Sequence, residues 1–264
     1  MPELPEVESY RRLAELAALR RPISAVEALD PRYLRGRPQQ GVGLVADALV
    51  GRSFIAARRI GKLALLDTDG HGPTLGLHFG MTGTLIVDGQ AGVEGLMYSS
   101  QREEPAWERF VLRFGDGGRL VLRDPRRFGR IELDPDEQHL GVDLLDVTPA
   151  GLRDALAGSA APLKARLLDQ SRLAGAGNLI ADEALWRAAL DPARPAGSLS
   201  PAELRRLHRH LLATVADFLT NGGSHTGQLL PARRPGGQCP RDGTPLVRRT
   251  VGGRTTWSCP QHQV

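Results

Sequence analysis

The sequence predicts an α+β chain of several domains: an N-terminal β-sandwich with flanking helices, a helical domain after it, and a small hairpin module at the C-terminus. Three observations carry this reading. Hydrophobic periodicity is helical over residues 3–19, turns into short β segments from about 53 to 133, and is helical again after Pro149. Breaker residues gather at Asp134-Pro135-Asp136 and at Asp146-Val147-Thr148-Pro149, between the β-rich and the helical halves. Both cysteines, Cys239 and Cys259, lie near the C-terminus, too few for a disulfide framework and placed for a metal site. The expected domains are 1–134, 135–222 and 223–264.

At 264 residues the chain can bury cores of real size. Its 34 Lys and Arg against 30 Asp and Glu give a net charge of +4. Many basic residues come in pairs (Arg58-Arg59, Arg126-Arg127, Arg205-Arg206, Arg233-Arg234, Arg248-Arg249), a pattern that suits an anionic polymer better than a small substrate. No apolar run approaches the roughly 18 residues of a membrane span. Pro2, Glu3 and Glu6 do not open a basic-then-apolar signal peptide. The expectation is a cytoplasmic protein with no membrane partner.

In chain order, Val7, Leu13, Leu16 and Ala17 recur at helical spacing, so the N-terminus sits at the positive end of a helix. If the initiator Met is removed, Pro2 presents a secondary amine. A terminal amine titrates at roughly 7.7–8.0, so a usable fraction is an unprotonated nucleophile near neutrality. Glu3 and Glu6, three apart, share a helix face with it. Amine plus carboxylates suits imine chemistry at a sugar carbon, although an acidic first turn with Pro also suits an ordinary helix start. Strands follow at Ser53–Arg59, Leu63–Asp67, Thr74–Phe79, Gly83–Val87, Phe110–Phe114, Leu120–Arg123 and Arg130–Leu133. Between the first two, Gly61 allows a tight turn with Lys62 at its tip.

Helices are expected at Thr148–Leu156, Pro162–Leu168, Asn178–Ala189 and Ser200–Thr220. The last opens on the capping box Ser200-Pro201-Ala202-Glu203 and stops at Gly222-Gly223. Gly175 and Gly177 bracket a turn, and Asn178 is expected to cap the following helix, whose outward N–H groups make a ready phosphate site. The terminal module pairs Cys239-Pro-Arg-Asp242 with Cys259-Pro-Gln-His262. Cys239, Cys259 and His262 make a sound partial zinc site, and Asp242 is a harder, rarer fourth ligand. The hairpin could alternatively be held without metal, around Trp257 and Leu246.

Met1-Pro2-Glu3-Leu4-Pro5-Glu6-Val7-Glu8 resembles the opening of the formamidopyrimidine-DNA glycosylase and endonuclease VIII family, base-excision repair enzymes with an N-terminal proline nucleophile. Five further blocks carry the resemblance along nearly the whole chain: Arg58–Lys62, His78–Gly83, Asp124–Gly129, Gln170–Trp186 and the terminal module. The resemblance implies a bifunctional DNA glycosylase/AP lyase built from a catalytic β-sandwich domain, a helix–two-turns–helix domain and a zinc-finger-like hairpin. Pro2 would attack C1′, with Glu3 as principal acid/base, Glu6 in support and Lys62 on a phosphate beside the lesion; β- and δ-elimination would follow.

The DNA contacts implied are His78 and Met81 on one loop, Arg126 and Phe128 on a second, Asn178 at the lesion phosphate, and Arg254 on the hairpin. A base taken out of the duplex leaves a hole costing a few kcal/mol in lost stacking, and a Met, an aromatic ring and an Arg can fill it. The family keeps a four-Cys zinc finger; here Asp242 and His262 replace two cysteines of the set, implying one structural zinc on Cys239, Asp242, Cys259 and His262. The implied partner is double-stranded DNA with damaged bases or abasic sites. The stretch between Gly223 and Cys239 is shorter than the loop with which the oxoguanine-preferring branch covers its flipped base, which leaves oxidised pyrimidines, formamidopyrimidines or a broad scope. The alternative, a non-catalytic binder of damaged or structured DNA, would be expected to have lost Pro2, Glu3 or Lys62, and all are present.

Overall fold

The structure, a computed structural model, describes residues 2–35, 41–93, 96, 100, 102 and 104–264. It divides into two compact units, Met1–Glu137 and Gln138–Val264.

The first unit runs α1 (Leu4–Ala17), β1 (Ile23–Leu29), α2 (Gly41–Leu49), β2 (Phe54–Ile60), β3 (Leu63–Thr68), β4 (Thr74–His78), β5 (Thr84–Val87), β6 (Gln90–Ala91), β7 (Glu108–Phe114), β8 (Arg119–Arg123) and β9 (Arg130–Leu133). Its strands form two antiparallel sheets, ordered β1-β7-β8-β5-β6 and β2-β3-β4-β9. Side chains alternate along a strand, so Leu120 and Leu122 enter the core while Arg119 and Arg123 take the other face. One core collects Phe110, Leu112, Leu120 and Leu122 from the first sheet and Ala64, Leu66, Leu75 and Leu77 from the second. Val7, Tyr10 and Ala14 of α1 and Val45 and Leu49 of α2 complete it. This is the expected sandwich with flanking helices.

Two elements here were not legible in the sequence. Strand β1 pairs with β7 through two irregularities, between Ile23 and Ala25 and between Val26 and Ala28, and each shift breaks the two-residue alternation that announces a strand. Helix α2 carries Gly41 and Gly43 in its first turn, a weak helix signal that Val45 and Leu49 override by burial.

The connections between the sheets position the site. Residues 79–83 lead from β4 to β5, and residues 124–129 lead from β8 to β9. The two segments begin and end on paired strands, His78 opposite Arg130 and Thr84 opposite Arg123. They therefore cross side by side.

The second unit contains β10 (Val142–Asp143), α3 (Pro149–Leu156), α4 (Leu163–Leu167), β11 (Leu173–Ala174), α5 (Asn178–Arg187), α6 (Pro201–Thr220) and the hairpin β12 (Val247–Val251) and β13 (Arg254–Ser258). Thr148 caps α3 by accepting from the Gly151 N–H at 3.0 Å. Ser200 and Glu203 form the expected capping box on α6. Trp186, Leu229, Cys239, Leu246, Trp257 and Cys259 make a hydrophobic cluster, so the hairpin packs onto the end of α5. Among the described residues no helix is long and apolar enough to cross a membrane.

Candidate functional site

In the first unit the segment that leads into α1 lies inside the fold. Pro2 is buried, and Glu3 and Glu6 are only 1% and 2% exposed. The Glu3 backbone N–H donates to the Glu6 carboxylate at 2.8 Å, so Glu6 fixes the backbone that joins Pro2 to the helix. One turn on, the Tyr10 hydroxyl donates to the Gly83 carbonyl at 3.2 Å and its ring lies 4.4 Å from that of Phe79. Helix α1 is thus pinned against segment 79–83. Burial drives the Tyr10 phenol far above its ordinary pKa, so it remains a neutral donor.

Lys62 projects from the β2–β3 turn, where Gly61 takes φ +56° as the bend requires. Leu63, next in sequence, pairs with His78, which brings Lys62 to the strand end that carries His78. Burial, helped by the positive charges of Arg130, Lys62 and Arg35, lowers the His78 pKa to about 4. Its Nδ1 accepts the Gly80 N–H at 3.2 Å, so the proton of the neutral ring sits on Nε2. At this strand end stand three cations and one neutral N–H donor, a surface suited to phosphate.

Met81 is half-buried on segment 79–83, while Arg126 and Phe128 are exposed on segment 124–129, Phe128 at 54%. The Arg126 guanidinium lies 5.1 Å from the Phe128 ring centroid. Gly80 takes φ +57°, and a Cβ there would stand 2.3 Å from the Phe128 carbonyl carbon. Any other residue would push the two segments apart.

Beneath them is a group that the sequence reading missed. The Asp124 carboxylate, on a residue with no exposed surface, accepts from the Thr82 hydroxyl at 2.5 Å and the Tyr33 hydroxyl at 2.9 Å. It also takes the N–H groups of Arg126 at 3.1 Å and Gly129 at 2.8 Å. The Asp-Pro step at Asp124-Pro125 was the available sign of a turn, but nothing in the sequence pointed to Tyr33.

In the second unit Asn178 is the first residue of α5 and Gly177 is its N-cap, which corrects the expectation that Asn178 caps the helix. Gly177 adopts the extended cap conformation and leaves the Asn178 side chain uncommitted to capping; its buried Oδ1 has no hydrogen-bond partner among the described residues. Arg254 is exposed beside the Gly252-Gly253 turn of the hairpin.

Cys239, Asp242, Cys259 and His262 offer ligand atoms that all lie within 4.8 Å of one another. His262 Nδ1 is 3.6 Å from Cys239 Sγ and 3.1 Å from Asp242 Oδ2, and Asp242 Oδ2 is 3.4 Å from Cys259 Sγ. Around them the outer contacts favour ligation. His262 Nε2 bonds the Trp186 carbonyl at 3.2 Å, leaving Nδ1 as the lone-pair nitrogen. The Trp186 indole N–H and the Arg241 backbone N–H each donate to Cys239 Sγ at 3.4 Å. Asp242 Oδ1 accepts from the Thr244 N–H at 2.9 Å, which leads the causes holding this carboxyl below its ordinary range. Burial raises the Cys259 thiol. The cluster can hold a metal ion.

A second buried group was also missed. Lys164, with no exposed surface, meets Asp182 of α5 at 2.6 Å, Thr256 Oγ1 of β13 at 2.7 Å and the Thr255 carbonyl at 3.2 Å. It ties the hairpin to the helices.

Two family models match. Residues 1–131 match the formamidopyrimidine-DNA glycosylase N-terminal domain, and residues 140–228 match the H2TH domain of the same enzymes. The formamidopyrimidine-DNA glycosylase of Chloroflexus aggregans is 35% identical over 287 residues, covering 100% of this chain and 99% of its own. That of Thermus thermophilus is 36% identical over 290 residues, covering 100% and 98%. Among solved structures, the Fpg protein of Thermus thermophilus superposes with a TM-score of 0.78 at 34% identity, covering 99% of this chain and 98% of its own. The Lactococcus lactis Fpg in complex with DNA containing an abasic site gives 0.81 at 26% identity, covering 99% of both chains.

Proposed function

The chain belongs to the formamidopyrimidine-DNA glycosylase family, and we propose that it is a DNA glycosylase of base excision repair that works through its N-terminal proline and carries AP lyase activity. The observation that carries this is the buried N-terminus of α1, with Glu3 and Glu6 beside Pro2 and the Glu6 carboxylate holding the Glu3 N–H.

With Met1 removed, the Pro2 nitrogen attacks C1′ of the damaged nucleotide. The glycosidic bond breaks and the base leaves with its electron pair, protonated by solvent; the amine proton passes through Glu3 to O4′ as the C1′–O4′ bond breaks, which leaves an iminium between nitrogen and C1′. That cation acidifies the C2′ proton, so removal of the proton expels the 3′ phosphate by β-elimination, and a second proton loss expels the 5′ phosphate. Glu3 is the principal acid/base in these transfers, and Glu6 positions the amine. Lys62 and the Nε2–H of His78 bind phosphate beside the lesion. Met81, Arg126 and Phe128 fill the space left by the extruded base. Asn178 and Arg254 contribute phosphate contacts from the second unit. Damaged duplex DNA is the partner, met by a cytoplasmic monomer.

The metal is proposed to be one structural zinc. Tetrahedral zinc with Zn–S of about 2.3 Å and Zn–N and Zn–O of about 2.0 Å would separate sulfur from nitrogen or oxygen by about 3.5 Å, and nitrogen from oxygen by about 3.3 Å. Three of the separations here, 3.6, 3.4 and 3.1 Å, are close to these values, and all four ligand atoms lie within 4.8 Å of one another, near enough to close on one ion. Zinc would hold the hairpin and take no part in the chemistry.

Borohydride trapping on abasic-site DNA tests the reaction. The processed protein should give a reduced covalent adduct, and Pro2→Gly should greatly weaken it. An undiminished adduct in that variant that maps by peptide mass to a lysine, and not to the terminal amine, would identify that lysine as the nucleophile, and no adduct from a protein with proven free Pro2 would leave a non-catalytic binder.

A further inference from the structure

Met81, Arg126 and Phe128 sit on the two crossing segments 79–83 and 124–129, whose ends are hydrogen-bonded strand partners. Crossing segments of this length would ordinarily move independently at their tips. Here the tips are joined at one buried point. The Asp124 carboxylate takes the Thr82 hydroxyl from one segment and the Arg126 and Gly129 N–H groups from the other. A third element, the turn at residues 30–33, supplies the Tyr33 hydroxyl to the same carboxylate and places Asp30 3.1 Å from the Arg127 guanidinium. Arg127 itself holds φ +58°, a left-handed conformation that an arginine keeps only when its surroundings enforce it.

We propose that Tyr33 and Asp124 are positioning residues that join Met81, Arg126 and Phe128 into one rigid wedge, so that these side chains enter the DNA stack together. The inference rests on the wedge reading above and adds residues that touch no DNA. Each carboxylate oxygen of Asp124 accepts one hydroxyl and one backbone N–H, so the acceptor sites of the group are filled. The direct approach of Gly80 to the Phe128 carbonyl leaves no room for the segments to slide. Because Gly80 also donates its N–H to His78, the phosphate contact and the wedge share one frame. Segments held in advance lose less loop entropy when the wedge inserts, which is where the gain in extrusion arises.

The test is a double-mutant cycle read on wedge insertion and not on cleavage. A duplex with 2-aminopurine beside a stable abasic-site analogue brightens as the neighbouring stack opens. Tyr33→Phe keeps the ring and removes one hydrogen bond to a charged acceptor, and it should slow the fluorescence rise about fivefold. Asp124→Asn should slow it further, because the new amide N–H₂ faces N–H and O–H donors. In a Phe128→Ala background, Tyr33→Phe should add less than a twofold effect, since no aromatic wedge is left to position. Thr82→Val should repeat the pattern from the other segment.

Effects of Tyr33→Phe and Phe128→Ala that multiply in full would mean that Asp124 only stabilises the domain, and the inference falls. A wild-type rise that Tyr33→Phe leaves unchanged also removes it. A wild-type protein giving no rise removes the wedge reading together with this inference. Loss of the borohydride adduct with the fluorescence cycle intact counts against the imine chemistry alone and leaves the positioning role supported.

Discussion

At the scale of single residues, the site combines fixed protonation with fixed direction. His78 shows both. Its pKa of about 4 lies below the ordinary 6.5, so between these values the unfolded chain binds a proton that the folded chain does not. Stability of the first unit should therefore be full above about pH 6.5 and fall as pH drops toward 4, by on the order of 3 kcal/mol in all. Thermal melts from pH 7 to 4 check this: His78→Asn should flatten that limb, and an unchanged slope would show that other groups carry it. A second expectation separates charge from geometry. Lys62→Ala and Arg254→Ala should each reduce the slope of log affinity against log salt by about one, while Asn178→Ala should weaken binding with little change in slope. Selective loss for one base, with the slope intact, would place these residues away from phosphate.

At the scale of elements, helix starts and the hairpin do the positioning. The first turn of α1 uses Glu6 to hold the backbone beside Pro2, so a group that reads as an ordinary acidic helix start is bound to the residue proposed to react. The start of α5 is capped by Gly177, which frees Asn178. The hairpin carries the cluster of Cys239, Asp242, Cys259 and His262, which can hold a metal ion. Metal analysis after dialysis should find close to one zinc per chain, lost in Cys259→Ser and retained more tightly in Asp242→Cys, because thiolate is the softer ligand. A zinc-free protein that still folds and cleaves would show a hairpin held by the packing of Trp186, Leu246 and Trp257 alone.

At the scale of the whole molecule, the two compact units keep separate cores: the sandwich cluster runs from Val7 to Ile131, and the hairpin cluster lies wholly within the second unit. Separate cores predict separable unfolding. A chelator should lower the transition of residues 138–264 and leave that of residues 1–137 unmoved in calorimetry. One transition that shifts as a whole would mean that the units unfold together.

The sequence by itself determined which groups of chemistry are present and in what local frames. Pro2 with two carboxylates on a helix start, the Gly61-Lys62 turn, the capping box at Ser200 and the paired Cys239/Asp242 and Cys259/His262 spacings depend on neighbours a few residues away, and local periodicity and turn chemistry report such neighbours. The alternating strands from β2 onward were legible for the same reason. Strand β1 and helix α2 were not, because bulges and glycines erase the local signal and burial in a shared core restores the structure. Tertiary structure alone decided that Tyr33, Thr82 and Asp124 meet, that Lys164 is buried against Asp182 and β13, and that His78 is held neutral. Those outcomes depend on which segments cross and on how much water is excluded where they do, and no spacing along the chain encodes either.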